Sequence, residues 1–176
     1  MRAFIVPKGC TGIDQLRPVE RPSPVPGPGQ VLIRIRAASI NYRDQAVVTG
    51  NYFGGVAKAD TIPLSDGAGE ITAVGPGVVR RRVGDRVAGC FTQVPPSGPP
   101  AAAPTALGSP LDGMLAEEAV LYEDGVVPIP DWYSFEQAAC LPCAGVTAWN
   151  GLFAAGRPVG PGDTVLVLGS GGVSIF

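Results

Sequence analysis

The sequence predicts a mainly β chain. A small, irregular barrel or sandwich occupies residues 1–130, and the opening of an α/β unit occupies residues 131–176. Three observations lead there. Twenty-five glycines and 19 prolines make up a quarter of the 176 residues, yet 45% of the chain is hydrophobic and no repeat is present. That combination suits many short strands joined by tight turns rather than a disordered chain. Val31 to Ala37 alternates, with Val31, Ile33, Ile35 and Ala37 on one face and Arg34 and Arg36 on the other, as in a half-buried antiparallel strand. Thr164 to Leu168, by contrast, is a continuous apolar run, the pattern of a parallel strand covered on both faces.

Taken in order, Arg2 to Val6 is the first expected strand, cut by Pro7. The Pro/Gly segment Pro22 to Gly29 feeds the alternating strand, and one or two helical turns follow around Asn41 to Val48. Further strands are expected at Gly69 to Val74, Asp85 to Phe91, Met114 to Leu121 and Val126 to Ile129. Gly75-Pro76-Gly77 and Val83-Gly84-Asp85 supply turns between them. Arg80-Arg81-Arg82, followed by Asp85, reads as a solvated turn, and Gln93 to Pro110 as a loop without hydrophobic period. Ser134 and Gln137 form a capping-box pattern, with Ser134 at the N-cap. The helical composition of Ala138 to Phe153 is expected to divide into two helices at Pro142 and Gly145. After the turn Gly160-Pro161-Gly162-Asp163 and the apolar run comes Gly169-Ser170-Gly171-Gly172-Val173-Ser174. A glycine-rich turn directly after a buried strand is where a Rossmann unit seats a pyrophosphate at a helix N-terminus.

Composition removes several functional classes. Thirteen basic against 15 acidic residues give a net charge of −2, a poor footprint for nucleic acid. The absence of histidine removes Ser-His-Asp and Cys-His catalysis and His-ligated zinc. Four cysteines, at positions 10, 90, 140 and 143, are too few and too scattered for a secreted disulfide scaffold. No signal segment or membrane-length apolar stretch is evident, so a cytoplasmic protein is expected.

Several segments, in this order, resemble a known family: Ala38-Ser39-Ile40-Asn41-Tyr42-Arg43-Asp44, Pro63 to Glu70, Val83-Gly84-Asp85-Arg86-Val87, Asp112 to Glu117, Ala138 to Trp149 and Val167 to Ser174. The chain is similar to the N-terminal part of the medium-chain dehydrogenase/reductase superfamily, in its zinc-independent, quinone-oxidoreductase-like branch. The resemblance implies a GroES-like catalytic domain over residues 1–130 and an incomplete Rossmann domain over residues 131–176. It implies NADP- or NAD-dependent hydride transfer to or from a quinone, enone, or other carbonyl or alcohol, and a homodimer at full length. Zinc-containing members carry a cysteine where this chain has Asn41, and Gly-His-Glu where it has Leu64-Ser65-Asp66. They also carry a cysteine cluster where only Cys90 stands, so no zinc is expected.

Without a metal, hydrogen-bond donors must stabilise charge on the substrate oxygen. The resemblance assigns this to Asn41 and Tyr52, with Asp44 nearby; the alternatives are helix capping by Asn41, loop packing by Tyr52 and a structural role for Asp44. It places Tyr42, Arg43 and Thr147 beside the cofactor, and Gly169, Gly171, Gly172 and Val173 at its pyrophosphate. The alternatives are a surface position for Arg43 and helix packing for Thr147. Cys140-Leu141-Pro142-Cys143 is formally a C-x-x-C motif, but it lies within helix-forming residues and is expected to be buried packing.

Because the glycine turn is followed by only a few residues, the chain is expected to be the opening piece of an enzyme, without tight cofactor binding by itself. The alternative from another class is a non-catalytic GroES-like binding module. A further enzyme alternative is an enoyl reductase domain of a larger synthase.

Overall fold

The computed structural model describes residues 1–93 and 105–176. Most of the expected Gln93 to Pro110 loop therefore lies outside the described residues. The core is a curled antiparallel half-barrel. Strands β1 (Arg2–Ile5) and β2 (Arg17–Glu20) form a two-stranded sheet. Strands β3 (Gln30–Ser39), β4 (Asp66–Val74), β5 (Arg86–Gly89), β6 (Glu118–Tyr122) and β7 (Val126–Pro128) form a five-stranded sheet in the order β6-β3-β4-β5-β7. Helix α1 (Tyr42–Val48) interrupts them at the expected place.

Strand β2 has no counterpart in the sequence reading, because Pro18 breaks the pattern. It is tolerated on the outer strand of a two-stranded pair, where it sits opposite Phe4. Strand β6 is shorter than the expected Met114 to Leu121. The residues before it serve as a staple instead: Gly113, Met114 and Leu115 donate to the carbonyls of Ile62, Leu64 and Pro63, while Leu115 accepts from Phe4.

Alternation along β3 holds for Val31 and Ile33, which join Ile71, Val87, Met114, Leu121 and Val126 in the main core. It fails at Ala37. Between Ile35 and Ala37 strand β3 advances two residues while β4 advances one, so Ile35 pairs with Gly69 but Ala37 pairs with Ala68. This bulge at Arg36 moves Ala37 to the other face. There Ala37, Ala68 and Ala88 lie side by side across three strands and form a second cluster with Ala138 and Ala139. Small side chains on both surfaces let helix α2 (Phe135–Ala139) sit close to the sheet.

Helix α2 begins with the expected capping box. The Ser134 N–H donates to Gln137 Oε1 at 2.9 Å, and the Gln137 N–H returns to Ser134 Oγ at 3.2 Å. Arg86 fixes the preceding turn from β5, donating to the carbonyls of Pro130, Asp131 and Tyr133 with its guanidinium over the Phe135 ring. The expected split at Pro142 and Gly145 does not occur. The backbone stays helical through a π-helical turn (Leu141–Gly145), helix α3 (Val146–Trp149) and a second π-helical turn (Asn150–Ala154). Widening to a π turn accommodates Pro142 without ending the helix.

Thr164 to Leu168 differs most from expectation. The run joins no sheet among the described residues, and Leu166 and Leu168 are each 84% exposed. A strand exists only through lateral hydrogen bonds, and among the described residues this run makes none with a strand of the half-barrel. Helix α4 (Gly172–Ile175) follows the glycine turn as expected. The basic turn is also as expected: Arg80 pairs with Asp124, and Arg82 Nε with Asp85 Oδ1 at 3.3 Å. Among the described residues no helix is long and apolar enough to cross a membrane.

The sheet leaves no room for a side chain at Gly69, where a Cβ would lie 2.0 Å from the Arg34 carbonyl oxygen. Gly69→Ala is expected to cost about 2 kcal/mol or more in urea unfolding, as overpacking does. At Gly151 a Cβ meets nothing within 4 Å, so Gly151→Ala should be neutral or stabilise by up to about 1 kcal/mol.

Candidate functional site

Three segments converge at one end of the half-barrel: the turn into α1, the head of β4 and the first π-helical turn. Asn41 is the N-cap of α1, and its N–H donates to Asp44 Oδ2 at 2.8 Å. The capping role read as the alternative for Asn41 is therefore real. So is the structural role of Asp44, which is 4% exposed. The first turn of a helix is also where a carboxylate is favoured by the macrodipole. Burial nonetheless pushes the Asp44 carboxyl above its ordinary value, opposed by the Asn41 amide and by Arg43.

Arg43 is 8% exposed and not at the surface. It reaches across the fold to donate from Nη1 to the Leu107 carbonyl at 3.0 Å and from Nη2 to the Ser109 carbonyl at 2.9 Å. Its guanidinium carbon lies 5.0 Å from the Tyr52 ring centre and 4.8 Å from that of Phe91. Nη1 also stands 3.7 Å from Asp44 Oδ1. A guanidinium between two rings, with its ends on carbonyls, anchors the loop around Leu107. Tyr52 is thereby held half-buried in a cleft of about 420 Å³ lined also by Phe53, Lys58, Ser109 and Pro110. Tyr42, by contrast, is 86% exposed and points away from this packing.

The residue that sequence reasoning missed is Asp66. Asp66 and its neighbour Ser65 are both 0% exposed. Ser65 Oγ donates to Asp66 Oδ1 at 2.7 Å, and the Cys143 N–H donates to Asp66 Oδ2 at 2.9 Å. The residue before them, Leu64, has φ of 72°, a left-handed conformation costly for a branched side chain. Burial raises the Asp66 carboxyl above its ordinary value against the stabilising Ser65, Cys143 and Asn41 contacts. Asn41 Nδ2 itself is buried with no hydrogen-bond partner among the described residues. The available signal was an acid amid small residues, Ser65-Asp66-Gly67-Ala68-Gly69, at a place where a strand needs none.

Cys143 and Thr147 share a turn. The Thr147 hydroxyl donates to the Cys143 carbonyl at 2.7 Å, and the side chain is exposed. Burial and the neighbouring Asp66 and Asp44 carboxylates push the Cys143 thiol up, which disfavours the thiolate that redox chemistry needs. Cys140 corrects the expectation of buried packing: it is exposed, with Sγ 3.3 Å from the Glu136 carbonyl.

The glycine turn lies against the same helical stretch. Helix α4 packs on the π-helical turn and on α3, and a Cβ on Gly172 would stand 3.4 Å from Ala144 Cβ. Gly169 has φ of 81°, and a Cβ on Gly171 would meet nothing within 4 Å. Gly169, Gly171, Gly172 and Val173 are exposed; Gly171 is the N-cap of α4 and Gly172 and Val173 open it, where backbone N–H groups lack intrahelical partners. Among the described residues, no group of three or more His, Cys, Asp or Glu side chains is placed to hold a metal ion.

The buried acids set a pH dependence. Both Asp44 and Asp66 are raised above their ordinary 3.8, so the fold takes up protons here. Their contribution is fullest below that value and is lost as pH rises through the raised values. The lowered carboxyls, Glu117, Glu123, Glu136 and Asp163, lose their contribution only as pH falls below the ordinary range. The urea midpoint is therefore expected to rise as pH falls from neutral through the raised values, and Asp44→Asn should flatten that slope.

Comparison with known proteins agrees with this architecture. Residues 27–131 match the alcohol dehydrogenase GroES-like domain family. A zinc-type alcohol dehydrogenase-like protein of Schizosaccharomyces pombe is 44% identical, the match covering 98% of this chain and 51% of that protein. An alcohol dehydrogenase of Geobacillus stearothermophilus is 34% identical over 90% of this chain and 48% of its own length. The crystal structure of a mycobacterial quinone oxidoreductase superposes with a TM-score of 0.76 at 30% identity, covering 99% of this chain and 47% of that one. The chain thus spans about half the length of these relatives. On its sheet order, on the residues matched and on these likenesses, the chain belongs to the alcohol dehydrogenase GroES-like domain family, within the medium-chain dehydrogenase/reductase superfamily.

Proposed function

We propose that the chain contributes the substrate side of an NAD(P)H-dependent oxidoreductase that acts without zinc on a quinone, enone, or other carbonyl or alcohol. Residues 1–130 form the catalytic unit in this reading, and residues 131–176 open the nucleotide-binding unit. The observation that carries it is Asn41 Nδ2, a buried amide donor with no hydrogen-bond partner among the described residues. Leaving such a donor unsatisfied is costly, and a substrate oxygen is the acceptor it lacks.

A nicotinamide dinucleotide, when bound, supplies or receives the hydride. The Asn41 carboxamide donates to the substrate oxygen, where negative charge grows as hydride arrives. Tyr52, against the Arg43 guanidinium in its cleft, carries the hydroxyl that gives or takes the proton. Asp44 holds the Asn41 backbone, and so the origin of the carboxamide, in place. Arg43 acts through Tyr52 and the Leu107 loop, since both its terminal nitrogens are already bound to carbonyls. Gly169, Gly171, Gly172 and Val173 receive the pyrophosphate, with Thr147 on the adjoining helix. The zinc-free reading is supported by the donor set itself. Asn41 and Ser65 are weak metal ligands, and the Asp66 oxygens already accept hydrogen bonds from Ser65 and Cys143.

The test is NADPH oxidation with 1,4-benzoquinone, on the protein as encoded, including any sequence that follows residue 176. Turnover is expected. Asn41→Ala should lower kcat by about 100-fold or more, as loss of an oxyanion donor does. Tyr52→Phe should lower it by about 100-fold, as loss of a general acid does. Absence of saturable NADPH binding by fluorescence titration would overturn the reading.

A further inference from the structure

The cleft beside Tyr52 combines apolar walls with positive charge. Val47, Phe53, Val56 and Pro110 supply the apolar surface, and Phe53 is 93% exposed. Its ring stands edge-on to that of Tyr52, the two centres 5.2 Å apart. Tyr52 and Ser109, which also line the cleft, carry hydroxyl donors. Among the described residues, the charged groups lining it are two cations, Arg43 and Lys58, and no Asp or Glu.

The two cations differ in what already answers their charge. Arg43 is buried, its Nη atoms are bound to the Leu107 and Ser109 carbonyls, and Asp44 stands 3.7 Å from Nη1. Lys58 is exposed and forms no ion pair among the described residues. The neighbouring acid, Asp60, is occupied elsewhere. Its Oδ1 accepts from the Lys8 N–H at 2.9 Å and its Oδ2 from Arg17 Nη2 at 3.4 Å. The sequence of residues 94–104, which leads to Ala106 at the cleft wall, contains no acid either.

We propose that this cleft binds the anionic end of the substrate, an apolar carbonyl compound of one or two rings that carries a carboxylate, sulfonate or phosphate, with Lys58 as its charge partner. An unpaired ammonium beside apolar walls matches a ligand of the same make-up, an apolar body with one oxyanion. The body displaces water from Phe53, Val56 and Pro110, and the anion gives Lys58 the counter-charge that the chain does not supply. A volume of about 420 Å³ is in the range of small-molecule clefts. That the bound compound is the substrate rests on the oxidoreductase reading. That the cleft takes such an anion does not.

The probe is 2-naphthalenesulfonate, titrated by calorimetry into the protein as encoded, with 2-naphthol as its uncharged counterpart. The sulfonate is expected to bind about fivefold more tightly than 2-naphthol at low salt, and the difference should shrink as salt rises. Lys58→Met keeps the apolar stem and should abolish the difference, whereas Lys58→Arg should retain it. Phe53→Ala should weaken both compounds together, by about threefold or more. Both positions are exposed, so the fold is expected to tolerate all three changes. Absent or equal binding of the two compounds, or a difference untouched by Lys58→Met, would overturn the proposal. Inorganic phosphate that binds as tightly as 2-naphthalenesulfonate would make this a site for the free anion and sink the substrate assignment. Turnover gives the second readout. The sulfonate should inhibit NADPH oxidation competitively with 1,4-benzoquinone, and Lys58→Met should raise its inhibition constant by about fivefold. Any pattern other than competition with the quinone also sinks the substrate assignment. A protein that binds the sulfonate through Lys58 but does not oxidise NADPH overturns the oxidoreductase reading alone.

Discussion

Two carboxylates and one guanidinium share a buried region between α1, the head of β4 and the first π-helical turn, and the packing of these three segments depends on how that charge is held. Taking an ionised carboxyl out of water costs several kcal/mol even after relaxation. The fold offsets this through backbone and hydroxyl donors: Asn41 N–H for Asp44, and Ser65 Oγ–H and Cys143 N–H for Asp66. Arg43 adds an opposite charge to both acids, although its own Nη atoms are committed to Leu107 and Ser109. The balance still leaves both acids raised, so desolvation wins over the donors. A region so placed is stiff, because moving any one member leaves a buried polar group unpaired.

The same region explains the shape of the helical stretch above it. Cys143 directs its N–H to Asp66, Pro142 has none to give, and the carbonyl of Cys143 receives the Thr147 hydroxyl. A helix that lends its donors to a neighbouring strand widens locally. The alanine row Ala37, Ala68 and Ala88 lets this happen at close range, since nothing larger separates α2 from the sheet.

What was legible in the sequence is what local rules govern. The β3 alternation through Ile35, the Ser134/Gln137 capping box, the helical turn at Asn41 and the exposed basic turn at Arg80 each depend on neighbours a few residues away. What was not legible depends on partners far along the chain. The bulge at Arg36 is defined by the β4 register, the unsplit helix by Asp66, and the burial of Arg43 by carbonyls more than 60 residues distant. Of the candidate site, Asn41, Asp44, Arg43 and Tyr52 are brought into one region, with Thr147 and the glycine turn on the adjoining helix, while Tyr42 is not. Asp66 was hidden because a charge beside small residues looks like a turn until its burial is known. The Thr164 to Leu168 reading used composition alone, and composition cannot say whether a strand has neighbours.

The sheet order carries a consequence for synthesis. Every strand of the half-barrel lies before residue 129, whereas the exposed apolar run from Val165 to Leu168 comes after them. On a ribosome adding about 5–20 residues per second, the sheet has time to close before that run emerges. The apolar run thus meets strands that have already paired with one another. Moving the run to the front of the chain by circular permutation would reverse that order of events without changing a single contact in the folded half-barrel.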